Sequence, residues 1–596
     1  MIPGAKQMSQ TRKKADVVIV GLGWAGSLMA EELTRAGLNV VAIERGAWRD
    51  TSTDFPPAVD TDELRWHTRR QLLQPMSVET MTFRNRDGQD AAPVRNWSAF
   101  QFGWNVGGAG THWAGMSWRF SPWDFQVATQ TRERYGAARM AGLQLQDWGV
   151  TYEDMEPFYD RFERIAGTSG AAGNLAGRIK AEGNVFEGAR VRDYPTPPLK
   201  DTHWMSKYRQ TTAGMGYHPF TVPSANISQA YVNPLDVAMG PCTYCGFCDF
   251  HGCGNFSKSS PQACILPVLM RRPNFTLLTE TEVLHAVKHR DGKTVTGVKF
   301  ITKEGVEGFQ PADIVCITAY QMDNVRLMLL SQVGQAYDPG TGRGTVGRNY
   351  NYQTCSTVTG FFDGEHMNPF IGTGALAVQI DDFNGDNFDH GHLGFIGGAG
   401  IMGFSTNGRP IQNMNTLRPG TKRWGSAWKA GYARDYQTAS TIFCQGTSMP
   451  VREAYLDLDP AYKDRHGQPL LRMTFDWNRN DIDMANYVTE RAIDIMKATG
   501  AKDLLVDNQT ERSWNPYMQH SSHTIGGAVM GADPTTSAVN PWLQSWDAHN
   551  LFVVGASAFP NNGGYNPTLT VGALAIRAAQ AIHRTYVRNP GPLVRG

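Results

Sequence analysis

Six residues, Gly21-Leu22-Gly23-Trp24-Ala25-Gly26, constrain this chain more than any others. Residues 16–20 before them read as an apolar strand. Residues 25–36 after them have helical spacing, with Gly37 placed as a C-cap, and residues 39–44 form a second, Val-rich strand that ends in the acid Glu44. Strand, glycine turn, helix, strand and terminal acid in this order make one βαβ unit of the kind that binds a dinucleotide. Gly21 permits the tight turn, Gly23 lets backbone approach a pyrophosphate, and Gly26 lets helix and strand pack closely. The helix start would face the phosphates with unpaired N–H groups and a favourable dipole. Glu44 stands where an acid accepts hydrogen bonds from ribose hydroxyls. This motif alone serves FAD and NAD equally.

At 596 residues the chain is long enough for two or more domains. Lysine and arginine number 56 against 55 acids, so no charge excess points to nucleic acid or to an acidic membrane surface. No apolar run reaches the roughly 18 residues of a membrane helix. Residues 548–576 are uncharged, but Pro560, Pro567, Asn561, Asn562 and several glycines interrupt them. Arg12, Lys13 and Lys14 precede an apolar run too short for a signal core, so no export signal or membrane span is expected.

Further strand signals fall at residues 275–283, 286–289 and 295–302, with a short buried strand at 314–318 and a helix near 323–330. Residues 335–510 mix strands with turn-rich loops, including the polar stretch 381–387. A strand at 551–554, a Gly/Asn-rich turn and a helix over about 568–587 close the chain. The expected fold is α/β (α+β overall). A Rossmann-like dinucleotide domain would be assembled from residues 15–125, 226–334 and 515–590, with a cysteine-rich loop at 240–265. Residues 126–225 and 335–514 would supply a substrate domain on a mainly antiparallel sheet, leaving 1–14 and 591–596 as tails.

Three further segments point to flavin. Val106-Gly107-Gly108-Ala109-Gly110-Thr111-His112-Trp113 resembles the second flavin motif of the glucose–methanol–choline oxidoreductases. His523-Thr524-Ile525-Gly526-Gly527, residues 551–560 and Asn566-Pro567-Thr568-Leu569-Thr570 resemble the closing signature of that superfamily. Within it, residues 242–248, 455–460, 472–477 and 543–547 are similar to the flavoprotein subunits of membrane-bound gluconate 2-dehydrogenases. The resemblance implies FAD held by Gly21, Gly23, Gly26, Glu44, Gly107, Gly108, Thr111, His112, Val283, Gly555, Ala556, Asn566 and Thr568. It implies a hydroxyl oxidation in which His523 takes the proton and Asn566 orients the substrate oxygen, with hydride passing to flavin N5. Histidine suits the base role because it titrates near neutrality. His520 is the competing candidate for that role. The leading substrate is D-gluconate, oxidised to 2-keto-D-gluconate. 2-Ketogluconate, sorbitol or a glycoside 3-hydroxyl are the alternatives, as is a pyranose-oxidase-like oxidase. Thr111-His112-Trp113 resembles the pyranose-oxidase segment whose histidine bonds covalently to the flavin, implying a histidyl-FAD. Arg119 is the arginine that could meet a substrate carboxylate. One departure is Ala319-Tyr320-Gln321, where the superfamily has a small, Gly-containing turn.

Five of the eight cysteines fall between Cys242 and Cys264, and Cys316, Cys355 and Cys444 are isolated. Cys242, Cys245, Cys248 and Cys253 have a spacing akin to ferredoxin runs and suit an iron–sulfur cluster, 3Fe-4S or 4Fe-4S. Zinc, disulfides and free thiols are the rival readings. The resemblance further implies a small subunit bearing a twin-arginine signal and a multihaem cytochrome c. The complex would sit on the periplasmic face of the bacterial inner membrane, and a cytoplasmic enzyme is the alternative.

Overall fold

The computed structural model describes residues 10–594 apart from 58, 60–61, 67–69, 76–80, 96–98, 406–407, 415 and 519–520. Val17-Val18-Ile19-Val20 are buried in the strand Ala15–Val20, as a β-branched run must be when helices cover both faces of a parallel sheet. This strand lies between Val40–Ile43 and Glu307–Ile317, with all three parallel, and Phe275–Leu278 and Leu551–Val553 extend the sheet in the same sense. Val295–Thr302 and Thr281–Lys288 then continue it as antiparallel neighbours.

The strand Glu307–Ile317 is longer than the stretch 314–318 read from sequence. Its first half alternates buried and exposed residues in an antiparallel ladder, and only its last half is apolar throughout, between Ala15–Val20 and Leu551–Val553. The stretch 275–283 is two strands, because Glu280 turns the chain with φ of 49° between a parallel and an antiparallel partner. The signal at 286–289 belongs to the second of these. The last helix runs regularly over Thr568–Ala581 and finishes in a π-turn, Ile582–Tyr586.

Helices Trp24–Arg35, Tyr152–Ala166 and Thr568–Ala581 pack on one another over the parallel sheet. Gly572 makes this possible, since a Cβ there would fall 2.2 Å from Phe162 Cε1. A second sheet of Asp503–Asn508, Cys355–Phe361, Ala439–Gly446, Ala399–Phe404, Ala377–Ile380 and Phe220–Thr221 is antiparallel throughout. Helix Arg479–Ala498 covers one face of it, burying Met484, Val488 and Ile495 against Val358, Ile442 and Cys444. Strand periodicity sends the intervening Phe443 and Gln445 to the other face, where both line the main cleft. Among the described residues no helix is long and apolar enough to cross a membrane.

The glycine turn is the tightest point of this assembly. A Cβ on Gly26 would lie 2.1 Å from Gly21 O and 2.8 Å from Thr318 Oγ1. Gly26→Ala is therefore expected to cost at least about 1–3 kcal/mol, the usual range for overpacking. Thermal unfolding measures that loss, and the absorbance of retained flavin reports the displaced turn. A variant with unchanged melting and full flavin would contradict this packing.

Candidate active site

One cleft runs from the glycine turn to the antiparallel sheet, with Gly21, Gly23, Gly108, Gly555 and Ala556 at one end and His523 and Asn566 in its wall. Glu44, His112, Val283 and Thr568 also line it. The two glycine motifs meet directly, Gly107 N donating to Leu22 O at 2.9 Å. The roles of the glycines separate here. A Cβ on Gly23 would have Gly107 O, 3.8 Å away, as its nearest protein atom, so this face opens to the cleft. No side chain caps helix Trp24–Arg35, leaving its first N–H groups for a ligand. Gly26, Gly107 and Thr111, expected to touch cofactor, do not line the cleft. Gly26 packs behind the turn, Gly107 turns at φ of 99°, and Thr111 Oγ1 is tied to Asn105 Oδ1 at 2.6 Å. Glu44 lines the cleft but also holds the turn, accepting from Leu22 N at 2.9 Å and Gly46 N at 2.8 Å. Burial pushes its carboxyl above the usual range.

His112 is buried, its Nε2 3.0 Å from Gln101 O and its Nδ1 without a partner. Burial, with the Lys258 charge adding to it, lowers the imidazole to about 4, so the ring is neutral near pH 7. His523 and Asn566 are brought together from 43 residues apart, with His523 Nε2 3.0 Å from Asn566 Nδ2. Asn566 Oδ1 has no partner. Desolvation pulls His523 down to about 3, which keeps it unprotonated and able to accept a proton. Its other nitrogen, Nδ1, faces Gln353 Oε1 at 2.5 Å and Gln445 Nε2 at 3.1 Å. Neither glutamine is apparent from sequence: Gln353 follows the two-residue strand Asn351–Tyr352, Gln445 lies in the strand Ala439–Gly446, and their side chains meet His523 only in the folded chain. The polar stretch 381–387 has a role as well. Tyr565 donates to Asp381 at 2.7 Å, and a Cβ on Gly564 would sit 2.0 Å from Asn384 Oδ1, so this loop fixes the turn that presents Asn566. His520 lies outside the described residues.

Two models of GMC oxidoreductases match, an N-terminal one over residues 227–355 and a C-terminal one over residues 450–575. The gluconate 2-dehydrogenase flavoprotein of Pantoea cypripedii is 44% identical, over 98% of this chain and 96% of its own length. The chain belongs to the GMC oxidoreductase family. It is accordingly an FAD-dependent oxidoreductase acting on CH–OH donors. The fructose dehydrogenase large subunit of Gluconobacter japonicus is 26% identical over 96% of this chain and 99% of its own. Among solved structures, pyridoxine 4-oxidase from Mesorbium loti shares the GMC fold, with a TM-score of 0.58 at 16% identity, covering 96% of this chain and 99% of that one.

Three expectations change against this GMC frame. Arg119 does not reach the cleft. It is buried and spent on Glu163, whose two oxygens accept from Nε and Nη2 at 2.8 Å each, and on Glu156 and Tyr152. The basic residues that do line the cleft, Arg45 and Arg326, are bonded to Asp323 and Asp464. Second, Tyr320 occupies the position of the family's small turn with φ of 83° and ψ of 161°, a region that suits glycine. Its hydroxyl on Phe100 O at 2.9 Å and its edge against Phe102 hold it there.

Third, the cysteines do not form a ready-made metal shell. All eight are free thiols, and among the described residues no three Cys, His, Asp or Glu side chains come together to hold a metal ion. The sulfurs engage protein partners instead. Cys248 Sγ is 3.4 Å from Asn226 Oδ1, Cys242 Sγ accepts from Tyr244 N and Cys253 Sγ from Lys258 N, each at 3.5 Å. Burial, and to a smaller degree the neighbouring thiols, push Cys242 up to about 12 and raise Cys245 and Cys248 too. Cys264 stands apart in the core on Ser260 O. The loop is tied to the cleft: Phe250 N donates to His112 O at 3.0 Å, and buried Lys258 Nζ donates to Trp113, Cys248 and His251 carbonyls at 2.7 Å each.

Arg119→Ala is expected to lose about 3–5 kcal/mol, the cost of stranding a buried acid, while substrate KM stays unchanged in whatever protein folds. Denaturant melts and steady-state kinetics separate the two effects. The pH profile gives a second check. Because His523 is held far below the usual histidine value, the acid limb of kcat/KM should lie below about pH 5, not near 6.5.

Proposed function

We propose that this chain is the flavoprotein of a dehydrogenase that oxidises a secondary hydroxyl of a sugar acid, with D-gluconate to 2-keto-D-gluconate as the leading reaction. The observation that carries this reading is the His523–Asn566 pair in the cleft wall, in a chain so similar to a gluconate 2-dehydrogenase flavoprotein. His523 Nε2 takes the hydroxyl proton, and the Asn566 amide orients the hydroxyl oxygen. Bound FAD would supply the acceptor for the hydrogen that leaves carbon with its electron pair. Gly21, Gly23, Gly108, Gly555, Ala556 and Thr568 would hold the cofactor, together with Glu44 and Val283. His112, neutral and with one ring nitrogen free, has the chemistry for a covalent attachment. The domain reading goes with this: the parallel sheet carries FAD, and the antiparallel sheet presents Phe404, Phe443 and Gln445 to substrate.

The electron exit is read as an iron–sulfur cluster on Cys242, Cys245, Cys248 and Cys253. Its support is the donor chemistry: four cysteines on one loop, N–H groups aimed at the Cys242 and Cys253 sulfurs, and the buried cations Lys258 and Arg409 within electrostatic reach of them. Partner subunits, a small twin-arginine-bearing chain and a multihaem cytochrome c at the periplasmic face of the inner membrane, belong to the same reading. One relative is itself named a large subunit.

A second substrate reading has an observation behind it. Among the described residues, the arginines and lysines that line the cleft are only Arg45 and Arg326, both already paired, so a substrate carboxylate meets no unpaired Arg or Lys beside His523. A neutral polyol or sugar would find Gln445, Ser521 and Ser522 there instead.

Purified enzyme assayed with an artificial electron acceptor on gluconate, 2-ketogluconate, sorbitol and a glycoside decides the substrate. Turnover of the neutral compounds without gluconate would overturn the leading assignment, and peroxide formation in air without added acceptor would indicate an oxidase. His523→Ala should lower kcat by at least about a hundredfold, the scale of general-base catalysis. Acid precipitation should leave flavin in the pellet, and iron and acid-labile sulfide should copurify in stoichiometric amounts.

A further inference from the structure

Gln353 lies directly opposite His523. The short ladder pairs Asn351 with Ile525 and Tyr352 with Thr524, and Gln353 N continues it by donating to His523 O at 3.2 Å. The Gln353 side chain is fully buried, and its amide orientation is fixed from both ends. Nε2 donates to Gly563 O at 2.7 Å and Tyr565 O at 3.1 Å, so rotating the amide would set its oxygen against two carbonyls. Oε1 therefore faces His523 Nδ1, and it also accepts from Gln445 Nε2 at 2.8 Å.

An oxygen has no proton to give. At 2.5 Å from Nδ1 the contact is favourable only if Nδ1 carries the hydrogen. The neutral ring then has its lone pair on Nε2, the nitrogen beside Asn566, and Asn566 Nδ2 at 3.0 Å becomes a donor to it. The opposite tautomer would set two lone pairs against each other at 2.5 Å, with only the longer 3.1 Å approach of Gln445 Nε2 to offset them. The same Gln353 amide also ties the base to the turn carrying Asn566, through the Gly563 and Tyr565 carbonyls.

We infer that Gln353 is a positioning residue: it locks His523 in the Nδ1–H tautomer, so that the Nε2 lone pair faces the cleft and Asn566. This rests on the reading of His523 as the base. When the substrate hydroxyl gives its proton to Nε2, the imidazolium keeps its Nδ1–H bond to Gln353, and no second proton moves.

The holoenzyme labelled with 15N-histidine gives the direct test. The His523 signals, identified by their loss in His523→Ala, should show Nδ1 protonated and Nε2 bare, and a protonated Nε2 in the neutral ring overturns the proposal. Kinetics give the functional test with D-gluconate, or with whichever panel substrate is turned over. Gln353→Met keeps the size but not the acceptor, and should lower kcat about tenfold with KM nearly unchanged, the scale of one buried hydrogen bond to a group that becomes charged. Gln353→Glu, protonated in this buried position, restores an acceptor to Nδ1 and should recover most of that loss. In a His523→Ala background Gln353→Met should have no further effect. An equal loss in both backgrounds, or no loss with His523 intact, overturns the role of Gln353 alone. Full turnover by His523→Ala overturns the base assignment instead, and the nitrogen spectrum still reports the tautomer.

Discussion

The structure depends on backbone approaching backbone at the glycine turn. Gly21 and Gly26 leave no side chain between the first strand, its helix and Thr318, and Gly107 bonds straight to Leu22 O. With that contact closed, the helix N-terminus remains uncapped and faces the cleft. Unpaired N–H groups at a helix start cost free energy in a dry interior, and an anion offsets that cost. The turn thus has a ligand requirement built into its geometry, and the parallel strands on either side exist to hold it.

The end of the cleft at His523 is assembled differently. His523, Asn566, Gln353 and Gln445 come from four separate segments. Gln353 is fixed by main-chain pairing and by an amide with both ends engaged, and among the described residues burial alone shifts the imidazole. Desolvation then does what a neighbouring charge would do elsewhere, keeping the ring neutral. The same logic governs Arg119, where burial demands carboxylates and receives Glu163 and Glu156, leaving nothing for a substrate.

Lys258 is a buried ammonium with all three protons on carbonyls, one of the flavin motif and two of the cysteine loop. A cation so placed holds two distant segments in one arrangement.

Much of the parallel half was legible in the linear chain, because its information is local. Hydrophobic period, glycine spacing and a terminal acid fix the βαβ unit, and the motifs at His112, His523 and Asn566 fix the family. The strand 307–317 was only half legible, since its first half alternates like any exposed ladder. Metal coordination at the cysteines was inferred from spacing, yet spacing does not say where the sulfurs point. The sequence by itself determined the glycine turn and the family, and it singled out His523 and Asn566, which the fold brings within 3.0 Å of each other. Only the tertiary structure decided that Arg119 is structural, that Gly26, Gly107 and Thr111 stand behind the turn they shape, and that Gln353 faces His523. Those outcomes depend on register and burial between segments apart in the chain, Glu163 lying 44 residues from Arg119 and His523 170 from Gln353, and neither is written in local pattern.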